Sequence, residues 1–174
     1  MLGLQKGTVR LEPHNPAWLQ AFQKEQARLA LALGCCARGI EHIGSTAVPD
    51  LMAKPVLDIL LGAASLDDFA ACGLLVEQLG YIFRRSPEPG WWFYVKGPEE
   101  ARTHHLHLCV HASAFWNDHL RFRDHLRANE RDRRAYESLK HALAREYAND
   151  RPVYTEGKSE FILTVLDHSH EGNR

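Results

Sequence analysis

Apolar residues recur with two different periods along this chain, and the switches between them outline its architecture. Trp18, Phe22, Leu29 and Leu33 repeat at helical spacing. Asn15 suits the N-cap of that helix with Pro16 at its first position, and Gly34 is a stop signal. A short strand is expected before it, over Thr8 to Leu11. After it the pattern turns extended: Ala37 to Ile43 reads as one core strand and Pro55 to Leu61 as a second. The latter is almost continuously apolar, as suits a strand covered on both faces. Phe69, Cys72, Leu75, Val76 and Leu79 form the stripe of another helix, which Ser65 is expected to cap and Gly80 to end. Tyr81 to Arg84 reads as a third strand, Ser86 to Gly90 as a loop, and Trp91 to Lys96 with His105 to Val110 as a hairpin across a polar turn.

The remainder is helical. Ser113 is placed to cap a helix to about Ala128 with Phe115, Phe122 and Leu126 inward. A second helix runs from about Glu130 to Tyr147 with Tyr136, Leu139, Leu143 and Tyr147 on one face. Asn149 to Pro152 breaks it, and Thr155 is expected to cap a last helix to about His168, burying Phe161, Ile162, Val165 and Leu166. A helix, a mixed sheet with one inserted helix, and a helical C-terminal third make an α+β (mixed α/β) pattern. The 174 residues are expected to form one domain with a real core.

Composition narrows the function classes. A net charge of -1 gives no electrostatic argument for nucleic acid or an anionic membrane. No run approaches the roughly 18 apolar residues of a membrane span. Cys35, Cys36, Cys72 and Cys109 have neither zinc-ribbon nor disulfide-framework spacing, and no leader is expected, so the expected location is cytoplasmic.

The stretch from Glu41 to Leu61 carries the most chemistry. Gly44 permits a tight turn and close backbone approach to a ligand. Ser45 and Thr46 add hydroxyls and main-chain donors suited to phosphate oxygens, and Lys54 adds a cation. Asp58 sits in the apolar run VLDILL, where a charge needs a cation, a metal or hydrogen-bond donors. A Gly-Ser turn followed by an acidic residue on the next strand resembles the start of nucleotidyltransferases built like DNA polymerase beta. There the turn holds a triphosphate and carboxylates bind magnesium for an in-line displacement. Those enzymes place a second acid two residues on, where this chain has Leu60.

On a strand, His105 and His107 share a face. With Asp58 they would form a two-histidine, one-carboxylate set, a geometry suited to zinc, manganese or iron, and a divalent metal (magnesium, manganese or zinc) is the cofactor expected; the bland reading is a solvated or hydrogen-bonded sheet face. Arg121, Arg123, Arg127, Arg131, Arg133 and Arg134 are interleaved with acids and read as salt-bridged helix faces, with Arg123 and Lys158 weaker candidates for a phosphate. Trp91 to Tyr94 read as core plus one exposed face, with base stacking as the alternative. Ser45 has His42 nearby, but GSTAV is not a nucleophile elbow, and no P-loop is present.

The runs His42 to Pro49 (HIGSTAVP), Lys54-Pro55, Asp58-Ile59, His105-Leu-His107, His119 to Arg127 and Tyr154 to Lys158 (YTEGK) together resemble the GrpB family over nearly the whole chain. That resemblance implies a nucleotidyltransferase-like fold and a poorly defined activity. It also brings an association with dephospho-coenzyme A kinase, to which some relatives are fused. Asp50 stands where the family usually has glycine, a position that Asp tolerates in a left-handed turn. Two functions follow as the main expectations, with a metal-binding protein that uses the histidines as a third. One is a metal-dependent nucleotidyltransferase-like enzyme with Gly44, Ser45, Thr46 and Lys54 on phosphates and Asp58, His105 and His107 on a metal. The other is a non-catalytic module for a nucleotide or phosphate-bearing ligand.

Overall fold

The structure, a computed structural model, describes residues 2–88 and 90–171. Helix α1 (Ala17–Leu33) leads into strand β1 (Gly39–Ile43), and a loop with one 3-10 turn (Ser45–Ala47) joins it to β2 (Leu57–Ala63). Helix α2 (Phe69–Gln78), strands β3 (Tyr81–Glu88), β4 (Trp91–Lys96) and β5 (His104–Val110), and helices α3 (Ala114–Ala128), α4 (Glu130–Glu146), α5 (Arg151–Glu156) and α6 (Ser159–Glu171) complete the chain. The five strands form one sheet in the order β1-β2-β5-β4-β3, with β2 parallel to β5 and the other pairs antiparallel.

The period-2 alternation of β2 and β5 divides the molecule. Leu57, Ile59 and Leu61 of β2, with Leu106 and Leu108 of β5, face α1 and α2 and pack with Trp18, Phe22, Leu29, Phe69 and Val76. The opposite face takes Asp58, Leu60, His105, His107 and Cys109, and there Leu60 and Cys109 pack with Ile43 and Trp116 of α3. A third apolar cluster joins Val48 and Leu51 of the loop after β1 to Leu126 of α3 and Tyr136 of α4. Each fully buried aliphatic side chain contributes on the order of 2 kcal/mol, so Leu51, 0% exposed, ties that loop firmly to the C-terminal helices. Arg127 Nε and Nη2 add hydrogen bonds to the Ala47 carbonyl at 3.0 and 2.8 Å.

Local signals account for most boundaries. Ser113 Oγ accepts from Trp116 N and Asn129 Oδ1 from Asp132 N, capping α3 and α4. Four expectations change. Residues 8–11 form no strand; extended pairing near them is limited to the bridges Leu4–Arg102 and Glu12–Ala53. Ser65 does not cap α2; its N–H and Oγ donate to Asp68 Oδ2 instead. Strand β3 runs on to Glu88, into the expected loop at Ser86–Gly90, by means of register shifts against β4; Pro89 of that loop lies outside the described residues. Asp150 caps the short helix α5 through Val153 N, with Pro152 in its first turn, so α6 begins at Ser159 rather than Thr155.

Candidate functional site

The site is built around the first polar residue of β2. Gly44 ends β1 with φ 69° and ψ -175°, a backbone state open to glycine, and it turns the chain across the Asp58 carboxylate. Asp58 shares its register with His105 on β5, so the two side chains leave the same sheet face. Arg151 Nη2, which can only donate, bonds to His105 Nε2 at 3.1 Å; the ring proton therefore sits on Nδ1 and is donated to Asp58 Oδ1 at 2.8 Å. The side chains of Asp58 and His105 are 28% and 13% exposed, so solvent reaches both.

Cations dominate the surroundings. The Lys54 ammonium, from the loop just before β2, lies 5.2 Å from the centre of the Tyr154 ring, and the Lys158 ammonium lies 4.8 Å from it. Tyr154 itself is 1% exposed. Burial holds Lys54 well below the usual lysine range and Lys158 down to about 8, with the other cations adding to the effect and Asp58 opposing it. Burial also lowers Arg151. Burial by itself would raise the Asp58 carboxyl; the hydrogen bond from His105 and the neighbouring positive charge of Lys54 outweigh it and hold the group ionised, well below the usual carboxylate range. Among the described residues, Lys54, Lys158 and Arg151 form no ion pair, and Asp58 is the carboxylate whose charge all three feel.

The other histidine has a different environment. Trp91 Nε1 donates to His107 Nδ1 at 3.2 Å, which leaves the proton of the neutral ring on Nε2. Burial pushes His107 down to about 3. Trp91 stacks on His107 and Phe115, and Phe93 lies 5.3 Å from His105 between ring centres. The aromatic strand β4 is thus split: Tyr94 is buried in the core while Trp91 and Phe93 flank the histidines.

The GrpB protein family matches residues 8–168. The chain belongs to the GrpB family. Among curated GrpB relatives it is 42% identical to a UPF0157 protein of Pseudomonas aeruginosa over 95% of this chain and 69% of that one. It is 37% identical to the glutamate-rich protein GrpB of Alkalihalophilus pseudofirmus, over 96% of this chain and 99% of that one. The crystal structure of GrpB from Enterococcus faecalis superposes with a TM-score of 0.84 at 30% identity, covering 94% of this chain and 98% of that one. A dephospho-CoA kinase of Mycobacterium tuberculosis shares 40% identity over 67 residues, 37% of this chain and 16% of that one.

In this GrpB chain the separate sequence motifs converge. HIGSTAVP supplies Gly44, Lys54-Pro55 supplies Lys54, KPxxDI supplies Asp58, His105-Leu-His107 supplies His105, and YTEGK supplies Tyr154 and Lys158. Asp50 takes the expected left-handed state with φ 59°. Other expected residues are employed differently. Thr46 is buried, and its hydroxyl is engaged with His42 Nε2 at 2.9 Å, so it packs the turn from behind. His42 stacks on Phe22, away from Ser45 chemistry. Arg123 is held by Glu41, Asp124 and the His42 carbonyl, and the remaining arginines of that set that pair with acids do so on helix faces.

The proposed metal set is not assembled. His105 directs its single lone pair at Arg151, His107 accepts from Trp91, and Asp58 touches His105 through its proton. Among the described residues no group of three or more His, Cys, Asp or Glu side chains is placed to hold a metal ion. Leu60, at the position of the second acid, is 0% exposed and belongs to the core under α3. Sequence reading missed Arg151 and Lys140. Lys140 had a visible signal: it falls on the apolar stripe Tyr136, Leu139, Leu143 of α4, where a charge is out of place.

Proposed function

We propose that this GrpB-family chain binds a small phosphate-bearing ligand of the nucleotide class at the Gly44–Asp58 turn, with Lys54, Arg151 and Lys158 as the anion-holding groups. The observation that carries this reading is the charge imbalance: among the described residues, three cations with no ion pair gather around one carboxylate, Asp58, that is already hydrogen-bonded to His105. Partly desolvated cations without counter-charges are costly, and an anion relieves them. The partial match to a dephospho-CoA kinase supports a phosphate-containing ligand by association only.

A second reading, metal-assisted nucleotidyl transfer with magnesium, manganese or zinc, draws on the Gly44-Ser45 turn and Asp58. It lacks the second carboxylate, because Leu60 occupies that position as core. Metal-independent anion binding is therefore the reading the geometry favours.

Calorimetric titration with pyrophosphate and with ATP, each with and without magnesium, tests both. Binding without metal that weakens about tenfold or more in Lys54→Met and Lys158→Met is the expected result. Absence of binding by either probe at millimolar concentration defeats the anion site, and binding only with magnesium returns the metal-assisted reading.

A further inference from the structure

The Ser45 hydroxyl does not face the cluster as a lone hydrogen-bonding group. Tyr136 and Lys140 are four residues apart on α4, so they leave the same helix face. Lys140 reaches Ser45, with Nζ 3.2 Å from Ser45 Oγ, and the Tyr136 ring packs against that ammonium. The ammonium also donates to the Met52 carbonyl and lies 5.1 Å from the centre of the Tyr136 ring. Lys140 is 1% exposed, whereas Ser45 is only half-buried, so a ligand can reach the hydroxyl while the amine stays dry.

The partners of Lys140 are neutral oxygens. Among the described residues it forms no ion pair, and the nearby Glu137 carboxylate accepts from Met52 N at 3.0 Å. Burial and the charge of Lys158 bring Lys140 down to about 7, with Glu137 opposing, so a large share of the amine is unprotonated near neutrality. A serine hydroxyl beside a buried neutral amine and a tyrosine is a competent arrangement for nucleophilic catalysis.

We propose that Ser45 Oγ is a nucleophile with Lys140 as its base and Tyr136 as a positioning residue, and that it attacks the terminal phosphorus of a phosphoanhydride. The donor class rests on the phosphate-ligand reading above. In the step, Ser45 Oγ gives its proton to Lys140 Nζ and forms the new O–P bond. The bridging P–O bond breaks, its electron pair leaves with the departing phosphate, and that group takes the proton back from Lys140. Water or an acceptor hydroxyl then attacks the phosphorus, giving its proton to Lys140 Nζ; the Oγ–P bond breaks, and Ser45 Oγ takes that proton back from Lys140. No metal and no redox partner enters the balance.

A fluorophosphonate probe tests the nucleophile directly, because attack forms the same Oγ–P bond and expels fluoride. Intact-mass and peptide analysis are expected to place one adduct on Ser45, absent in Ser45→Ala. Lys140→Arg stays protonated and so does not accept the proton, and is expected to slow labelling about a hundredfold; Lys140→Met, which has no base at all, provides the same comparison should the arginine not fold, with circular dichroism as the folding check. Tyr136→Phe is expected to slow labelling less. No Ser45 adduct, or labelling as fast in a folded Lys140 variant as in the parent, overturns the proposal. Pyrophosphate is expected to protect Ser45 from the probe. If calorimetry shows that pyrophosphate binds but Ser45 labelling is unprotected, the phosphoanhydride donor is overturned and the anion site stands. If Ser45 is labelled and pyrophosphate does not bind, the nucleophile stands and the phosphate-ligand reading falls.

Discussion

Gly44 approaches the Asp58 carboxylate so closely that a Cβ on Gly44 would stand 2.5 Å from Asp58 Oδ2. Position 44 also has φ 69°, which L side chains rarely adopt. Backbone strain and a direct clash thus act together in Gly44→Ala. The substitution is expected to cost about 2–3 kcal/mol, read from urea denaturation. It is also expected to displace Asp58 from His105, visible as a changed His105 imidazole signal by NMR.

Asp58→Asn removes the negative charge from a cluster of cations. An Asp58 that orients His105 and ligates nothing repels an incoming anion. The variant is therefore expected to bind pyrophosphate more tightly without metal, by about 1 kcal/mol, as read by calorimetry. A metal-ligand role predicts the opposite, a loss of metal-dependent binding. Stability is expected to fall by about 1–3 kcal/mol, because the asparagine no longer balances Lys54 and Arg151.

Leu60→Asp restores the sequence pattern of a carboxylate pair but places the new acid in a core cluster with Ile43, Cys109 and Trp116. The expected outcome is destabilisation of about 4 kcal/mol or more. Magnesium or manganese at millimolar concentration is not expected to recover the melting temperature.

His42 is 4% exposed and stacks on Phe22, and burial pushes it down to about 4. Between about pH 6.5, where the unfolded histidine titrates, and about 4, the unfolded chain binds a proton that the folded chain does not. Stability is therefore fully present above pH 6.5 and falls as the pH drops through that window, by about 3 kcal/mol for this group. Denaturant titrations from pH 7 to 4 are expected to show that decline and to show a shallower one in His42→Gln.

Much of the scaffold was legible in the sequence. Helical repeats located α1, α2, α3 and α4, and the apolar run ending at Leu61 located β2 as a strand covered on both faces. Local chemistry also carried Gly44, because a turn that needs φ 69° selects glycine, and Ser113, because its hydroxyl caps its own helix. The tails of elements were less legible: β3 extends beyond Arg84 because pairing with β4 supplies what its own residues do not signal.

The site divided along the same line. The sequence alone determined that Gly44, Lys54, Asp58, His105 and Lys158 fall in runs that resemble the GrpB family, and the residue types of Gly44 and Asp58 are unusual for a solvated turn and a plain core strand. Only the tertiary structure decided what each one touches. Thr46 turned inward to His42, His107 was taken by Trp91, and Leu60 became core, so the expected metal set did not form. Lys140 came from 95 positions away to meet Ser45, and Arg151 from 46 positions away to meet His105. Pairings at that separation depend on how α4 and α5 pack over the loop after β1. For α4, burial of Tyr136 and Leu139 against Val48, Leu51 and Leu126 sets that packing, and no local pattern of residues encodes it.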